Sequence, residues 1–158
     1  MTKTPGSLYR VMALAEMATW TLLIIAMVAR YGFAYDGPLF FVAGLSHGIV
    51  FLAYCVTAAI IGINLRWGFG TIVVAILSAI PPWATWPFDR WLERKKKLEG
   101  GWRLEDSGDP RDHHWLDRLV RLGLRHPLWS FATIVIGMAL VISVLLSLGP
   151  PTEWGSAS

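Results

Sequence analysis

The chain has 158 residues, of which 54% are hydrophobic and 16% are charged, against the roughly 25% of charged residues usual in soluble domains. The apolar residues fall in four long runs, and a soluble domain does not bury four such runs, so the composition excludes an ordinary soluble protein. The net charge of +3 comes from basic residues beside the apolar runs. Anionic lipid headgroups are the natural counter-charge there, and the sequence has no nucleic-acid-binding motif, so we expect anionic lipids and no nucleic acid as partners.

Each apolar run reaches the roughly 20 residues that a membrane-spanning helix needs. The first run is too long for the apolar part of a signal peptide and contains Glu16, so we expect it to be retained. The sequence therefore predicts an all-α, polytopic membrane protein with four transmembrane helices. The predicted helices are Leu8–Arg30, Pro38–Leu65, Gly68–Phe88 and Leu128–Leu148.

The distribution of basic residues predicts the orientation of these four helices. With four spans, Lys3, Arg10 and Arg66 lie on one side, and all the other basic residues lie on the opposite side. Positive residues stay inside, so we expect both termini to face outward and the long third loop to be cytoplasmic in the plasma membrane. The expected organisation is a three-helix membrane core over residues 1–97, a cytoplasmic loop over 98–127, and a fourth helix with an outward-facing tail over 128–158.

The third loop contains two basic segments. The segment "DRWLERKKKLEGGW" predicts a basic stem that extends the third helix, and "HHWLDRLVRLGLRH" places Trp115, Leu119 and Leu122 at helical spacing. This pattern is typical of a short amphipathic helix lying in the membrane interface. A linker helix docked on a neighbouring protein has nearly the same pattern and stays an alternative. The residues expected to contact lipid headgroups or a partner are Arg94, Lys95, Lys96, Lys97, Arg118, Arg121 and Arg125.

Glu16 is the first polar residue that the apolar runs would bury. A carboxylate inside the membrane is costly and needs a partner. A rise of about 1.5 Å per residue puts Tyr54 of the second helix at a matching depth, so we predict a hydrogen bond between Glu16 and Tyr54. The alternative is that Glu16 handles a proton or a ligand.

His47 lies deeper, at the level of a proline-containing part of the third run, "SAIPPWATWPF". Pro81 and Pro82 remove two backbone donors, so we predict that the third helix bends or breaks there. The carbonyl groups freed in this way need new donors, and the imidazole of His47 would supply one. Gly44 and Gly48 would let the neighbouring helix approach closely.

Candidates for catalysis or cofactor binding are weak. His113 and His114 could bind zinc with Asp112 or Asp117, but adjacent histidines on a polar loop are more often solvated. Haem ligation would require a second axial ligand for His47, and the remaining histidines lie in the third loop. No phosphate-binding loop or nucleophile motif is present. We therefore predict no catalytic, cofactor-binding or metal-binding residue, and a chain that is not an enzyme on its own.

Three stretches, "LYRVMALAEMATWTLL", "GLSHGIVFLAY" and "LSAIPPWATWPFDRWLERK", resemble a small bacterial integral-membrane family of unknown function. The resemblance covers roughly residues 7–97, and the fourth helix looks like an addition to it. The composition, size and type of the chain also resemble those of the accessory subunits of the actinobacterial respiratory supercomplex. This resemblance implies membrane subunits of cytochrome c oxidase as partners. The positions that match the family pattern are Arg10, Glu16, His47, Gly48, Tyr54, Pro81, Asp89 and Arg94.

Two functions are compatible with these observations. The first is a cofactor-free accessory subunit of a larger membrane complex, the respiratory supercomplex being the specific expectation. The second is a small oligomeric transporter or channel that uses Glu16 and His47 as polar stations.

Overall fold

The computed structural model describes residues 4–106, 108–109 and 113–148. Every regular element in these ranges is helical, in agreement with the predicted all-α class. A π-helical turn, Val28–Gly32, extends the first helix. The helices are α1 (Pro5–Met27), α2 (Leu39–Asn64), α3 (Phe69–Leu77), α4 (Thr85–Arg94), α5 (Trp115–Arg125) and α6 (Pro127–Ser147).

Helices α1 and α2 form the centre of the molecule. Thr4 caps α1, because its hydroxyl accepts a hydrogen bond from the amide of Ser7 at 3.2 Å and Pro5 occupies the first helical turn. Small residues on the facing surfaces, such as Ala13 and Ala58, are buried and let the two helices pack closely. Both helices are long and apolar enough to cross a membrane, and so is α6.

The third apolar run breaks at Pro81 and Pro82, as the sequence predicted, but it does not form the predicted spanning helix. It is divided into α3 and α4, which have 9 and 10 residues, so each is about 15 Å long, half the hydrocarbon thickness. Pro81 and Pro82 lie in the turn between them, where their missing donors and the restriction on the preceding residue prevent a continuous helix. The described residues thus contain three candidate spans rather than four.

Helices α3 and α4 form a hairpin that returns to the end of the bundle where α1 begins. Gly62 near the end of α2 lies against Ile72 of α3, whereas Tyr54 farther back along α2 contacts Ala75, so α3 runs antiparallel to α2. The hydroxyl of Thr85 then donates to Glu16 of α1. Glu93, two turns later in α4, pairs with Arg10, so α4 runs antiparallel to α1.

The loop after α4 therefore lies at the same end of the bundle as the start of α1. The backbone of Leu98 is in close contact with Gly6, and the indole of Trp67 donates to the carbonyl of Lys97 at 2.7 Å. The prediction that the N-terminal side and the third loop lie on opposite sides is wrong, because the hairpin reverses instead of crossing. The predicted outward-facing tail at residues 149–158 lies outside the described residues.

Arg103 attaches the following loop to the end of α2. Its guanidinium donates to the carbonyl oxygens of Ile63 and Asn64 at 2.7 and 2.6 Å, carbonyls that have no partner within the helix. The same guanidinium pairs with Asp117 of α5 at 2.6 Å. Arg103 thus holds α5 against the end of α2, and α6 starts from there.

Helix α6 contacts the rest of the protein along one narrow stripe. Its half-buried residues recur every fourth position, and the large apolar residues between them are exposed. This spacing marks one face of a helix, so most of the α6 surface faces away from the protein. The half-buried residues are Ser130, Ile134, Met138 and Ile142.

Candidate functional site

A cluster of polar side chains lies where α1, α2 and the α3–α4 hairpin meet. Tyr9, Ala13 and Glu16 are buried at spacings of four and three residues, which puts them on one face of α1. Tyr54 of α2 and Thr85 at the start of α4 are also fully buried. We call Tyr9, Glu16, Tyr54, Ser78 and Thr85 the polar core.

Two tyrosines connect three helices in the polar core. The hydroxyl groups of Tyr9 and Tyr54 are 2.6 Å apart, and the Tyr54 hydroxyl also donates to the carbonyl of Ala75 at 3.0 Å. The Ser78 hydroxyl donates to the same carbonyl at 2.7 Å. Because Tyr9 belongs to α1, Tyr54 to α2 and Ala75 to α3, these bonds fix the position of the hairpin against both long helices.

Glu16 has a different partner from the one that the sequence predicted. Its Oε2 accepts a hydrogen bond from the Thr85 hydroxyl at 3.2 Å, while its Oε1 is buried and has no hydrogen-bond partner among the described residues. The predicted bond to Tyr54 is replaced because the hairpin brings Ala75 to the Tyr54 hydroxyl and Thr85 to the carboxyl group. The interhelical polar contact of Glu16 therefore joins α1 to α4.

His47 contacts α1 rather than the third apolar run. Its Nδ1 is 3.1 Å from the hydroxyl of Thr19, and its ring centroid is 4.4 Å from that of Trp20. The prediction that His47 serves the carbonyl groups near the prolines is wrong, because its Nδ1 pairs with Thr19 and the Leu77 carbonyl accepts from the Ile80 amide at 3.1 Å. The indole of Trp20 supplies a donor there instead, to the carbonyl of Ala79 at 3.0 Å.

The close approach expected at two glycines of α2 occurs elsewhere. A Cβ atom added at Gly44 or Gly48 would meet no atom within 4 Å. At Gly62 it would lie 2.6 Å from Ile72 Cγ1. The contact between α2 and α3 therefore depends on Gly62, near the point where the chain turns into α3.

An acidic row on α4 leads from the polar core toward the loop end of the bundle. Asp89 follows Thr85 by one helical turn and is half-buried. Its Oδ1 is buried and has no hydrogen-bond partner in the part of the chain that the structure describes. Burial raises the pKa of the Asp89 carboxyl, and the Arg10 guanidinium opposes this effect. Glu93, a further turn along, pairs with Arg10 at 2.6 Å, and both side chains are substantially exposed.

The arginine side chains of α5 differ in their exposure, and therefore in whether lipid or a partner can contact them. The side chain of Arg121 is 11% exposed and pairs with Asp106 at 3.2 Å, and Arg125 donates to the carbonyl of Leu104 at 2.8 Å. These two arginines attach α5 to the preceding loop, whereas Arg118 is exposed. Arg94, Lys95 and Lys96 are exposed after α4, and Lys97 is half-buried.

The apolar stripe of α5 faces outward. Trp115 is 65% exposed, and Leu119 and Leu122 are each 57% exposed. An amphipathic helix in a membrane interface turns its apolar side chains toward the acyl chains in this way.

No group of three metal-binding side chains occurs within the described ranges. His114 accepts a hydrogen bond from the amide of Leu116 and caps α5, and His113 lies 3.4 Å from a guanidinium nitrogen of Arg118. Asp117 is paired with Arg103. The zinc alternative for this loop also includes Asp112, which lies outside the described residues.

Sequence reasoning missed the side chains of Tyr9, Ser78 and Thr85 in the polar core, and that of Arg103 outside it. Tyr9 could have been found from its spacing to Glu16 on one face of the first helix. Thr85 and Arg103 gave no such signal, because each contacts a residue that is distant in the chain and is brought close by the hairpin.

Comparison with known proteins places most of this region in a described family. Residues 7–94 match the family model of the domain of unknown function DUF3817. The Streptomyces coelicolor protein named "Putative membrane protein SCO5905" is 31% identical over 87 residues, which cover 54% of this chain and 10% of that protein. The chain therefore matches about a tenth of the length of this relative, and no solved structure matches it significantly. Because the family model covers more than half of the chain, the chain belongs to the DUF3817 family, a family of membrane proteins of unknown function.

Proposed function

We propose that the chain is a cofactor-free accessory subunit of a larger membrane complex. The observation that carries this proposal is that polar side chains of α1 bond to polar side chains of α2 and of the α3–α4 hairpin. The Tyr9–Tyr54 pair is an example, and the indole of Trp83 similarly donates to Thr21 at 3.0 Å. These bonds join α1, α2 and the hairpin into one scaffold, and leave the outer faces of α5 and α6 to lipid or to other subunits.

The Streptomyces coelicolor relative supports this proposal. A related sequence makes up about a tenth of that protein, so this kind of unit occurs within a much larger chain. The specific form of the proposal is an accessory subunit of the actinobacterial cytochrome c oxidase, the subunit called CtaI.

Purification of the tagged chain from native membranes in a mild detergent tests both forms. Mass spectrometry of the co-purifying chains, with an absorption spectrum for haem, should identify oxidase subunits. Other membrane subunits without haem would support the general form and refute the oxidase. A chain that migrates by itself would refute both.

We further infer that the end of the bundle where α1 begins is cytoplasmic. Of the described basic residues, Arg30 alone lies at the opposite end of the bundle, where α1 ends, and the others lie at the end where α1 begins. Under the positive-inside rule the basic end faces the cytoplasm, and α6, if it crosses the membrane, ends outside. The described residues at the basic end are Arg10, Arg66, Arg90, Arg94, Lys95, Lys96, Lys97, Arg103, Arg118, Arg121 and Arg125.

Reporter fusions distinguish this orientation from the one with four spans. A reporter that is active in the cytoplasm should be active when fused ahead of Thr4 and when inserted at Gly101, and silent when inserted at Gly37. A silent reporter ahead of Thr4, with an active one at Gly101, would refute the returning hairpin.

Anionic lipids are the proposed partners of the basic segment after α4. Replacement of Lys95, Lys96 and Lys97 by glutamine should lower the number of anionic lipids that native mass spectrometry detects on the purified chain. The matched control is Arg30→Gln at the opposite end, which should leave that number unchanged. Equal lipid retention by the triple variant and the unaltered chain would contradict this assignment.

One observation favours a second function, a small oligomeric transporter or channel with Glu16 and His47 as polar stations. The Oε1 of Glu16 is buried and has no partner among the residues that the structure describes, and a buried ionisable group within a membrane helix is often functional. Ion flux into liposomes that contain the purified chain, compared with flux for Glu16→Gln, tests this function. Equal flux for both proteins would exclude a role of Glu16 in transport.

A further inference from the structure

Within the described ranges, two carboxyl oxygens at the interface between α1 and α4 are buried without a hydrogen-bond partner. They are Oε1 of Glu16 and Oδ1 of Asp89. Buried polar atoms are almost always satisfied, so an unsatisfied one calls for an explanation. Here both atoms belong to acids, which become hydrogen-bond donors when they are protonated.

The surroundings of Glu16 provide little compensation for a negative charge. The whole residue is buried, and the neighbouring side-chain donors are the Thr85 hydroxyl, at 3.2 Å from Oε2, and the Trp20 indole, neither of which is charged. Arg10 lies six residues earlier in α1, about 9 Å along the axis, and pairs with Glu93 at 2.6 Å. An ionised carboxylate in such a site costs several kcal/mol, whereas the neutral acid avoids this cost.

Asp89 lies between Glu16 and the exposed end of the bundle. It follows the Glu16 partner Thr85 by four residues, which places it on the same face of α4 and about 6 Å nearer the loop end. The residue is half-buried, so one part of it meets the outside and another part faces the interface. Asp89 therefore lies one helical turn from the Glu16 partner Thr85 and in part reaches the outside.

We propose that Glu16 is a proton-binding site, held as a neutral acid between α1 and α4, and that Asp89 carries protons between this site and the basic end. The proton moves from water to the Asp89 carboxylate and from there to Glu16, and it returns by the same route. No other chemical group is consumed. This proposal stands whether or not the chain is an accessory subunit.

Other titratable and charged groups also face this site. Helix α3 contributes none, and His47 is linked to the Glu16 carbonyl through the Thr19 hydroxyl. A charged imidazole at His47 would favour an ionised Glu16, so the test must distinguish the two states. The facing groups are Tyr9 and Arg10 on α1, His47, Tyr54 and Cys55 on α2, and Asp89, Arg90 and Glu93 on α4.

Infrared spectroscopy of the full chain in lipid at neutral pH tests the protonation of Glu16. Glu16→Gln keeps an oxygen for the Thr85 hydroxyl and should remove a protonated-carboxyl band from the spectrum. The matched control Glu93→Gln, at an exposed ion pair, should leave that band intact and remove a carboxylate band. A Glu16→Gln spectrum that loses carboxylate absorption instead would overturn the proposal.

Labelling of the unaltered chain keeps the test independent of any variant. A hydrophobic carbodiimide reacts with protonated carboxyl groups in apolar surroundings, and peptide mass spectrometry locates the product. We expect an adduct on Glu16 that decreases as the pH is raised. The absence of an adduct on Glu16 in the folded chain would also overturn the proposal.

The route is tested by hydrogen–deuterium exchange of the Glu16 carboxyl band. Asp89→Asn should slow this exchange several-fold without removing the band, and Glu93→Gln should leave the exchange rate unchanged. An unchanged rate in Asp89→Asn would refute the role of Asp89.

Discussion

Removal of the Tyr54 hydroxyl tests whether the tyrosine pair holds the hairpin in place. Tyr54→Phe leaves the ring in the core but breaks the 2.6 Å contact with Tyr9 and the 3.0 Å bond to the Ala75 carbonyl. The Ser78 hydroxyl still donates to that carbonyl at 2.7 Å, so the Tyr9 hydroxyl is the group left buried without its partner. The main cost of the substitution is therefore the desolvation of one hydroxyl.

The expected loss in the free energy of unfolding is about 1 kcal/mol. An unsatisfied buried polar group costs about 1–3 kcal/mol, and hydrogen bonds within membrane proteins average about 0.6 kcal/mol, with a maximum of about 1.7. Tyr9→Phe should cost less, about 0.6 kcal/mol, because the Tyr54 hydroxyl keeps its bond to the Ala75 carbonyl. The double variant removes both hydroxyls together, so it should cost less than the sum of the two single variants by about 1 kcal/mol.

Equilibrium unfolding by a denaturing detergent, in mixed micelles, measures these differences. Tyr31→Phe is the control, because Tyr31 is 74% exposed and its ring contact with Phe40 does not need the hydroxyl. This control should change stability by no more than about 0.5 kcal/mol. If the costs of Tyr9→Phe and Tyr54→Phe are additive in the double variant, the hydroxyl pair does not contribute as described.

Gly6→Ala should weaken the attachment of the loop after α4 by about 1–3 kcal/mol, because the new Cβ would collide with the backbone of Leu98, and faster tryptic cleavage at Lys95–Lys97 would report the loss. Gly44→Ala adds a Cβ in open space and should leave the cleavage rate unchanged, so equal rates for the two variants would contradict the close contact at Gly6. Burial raises the pKa of Asp89 in the folded chain, so its contribution to stability is present below the ordinary aspartate pKa of about 3.9 and is lost as the pH rises through the folded pKa. Asp89→Asn should therefore raise the unfolding temperature at neutral pH, with a gain that shrinks as the pH falls toward that value; a gain that is equal at all pH values would show that titration of Asp89 is not its cause.

The sequence predicted the helical class and the membrane location because both depend on composition over long segments. A helix of about 20 apolar residues is long enough to span a membrane by itself, and α1, α2 and α6 meet that condition. The prolines at positions 81 and 82 likewise act locally, since they remove backbone donors in any context, and they lie between α3 and α4.

The direction of the chain after Pro82 depends on tertiary contacts. A broken helix can continue across the membrane or turn back, and both paths have the same hydropathy. The bonds from Thr85 to Glu16 and from Arg10 to Glu93 belong to the returning path. Because the chain turns back, the start of α1 and the loop after α4 lie at the same end of the bundle, and not at opposite ends as the sequence predicted.

The partners of the buried polar residues were also decided by the tertiary structure. The sequence indicated that Glu16, His47 and Tyr54 need partners, because a polar group in a membrane is costly without one. The matching depth of the two residues in the membrane predicted a bond between Glu16 and Tyr54. The hairpin instead places Thr85 beside Glu16 and Ala75 beside Tyr54. Burial and the need for a partner are local properties of a residue and its helix, whereas the identity of the partner depends on which segments the fold brings into contact.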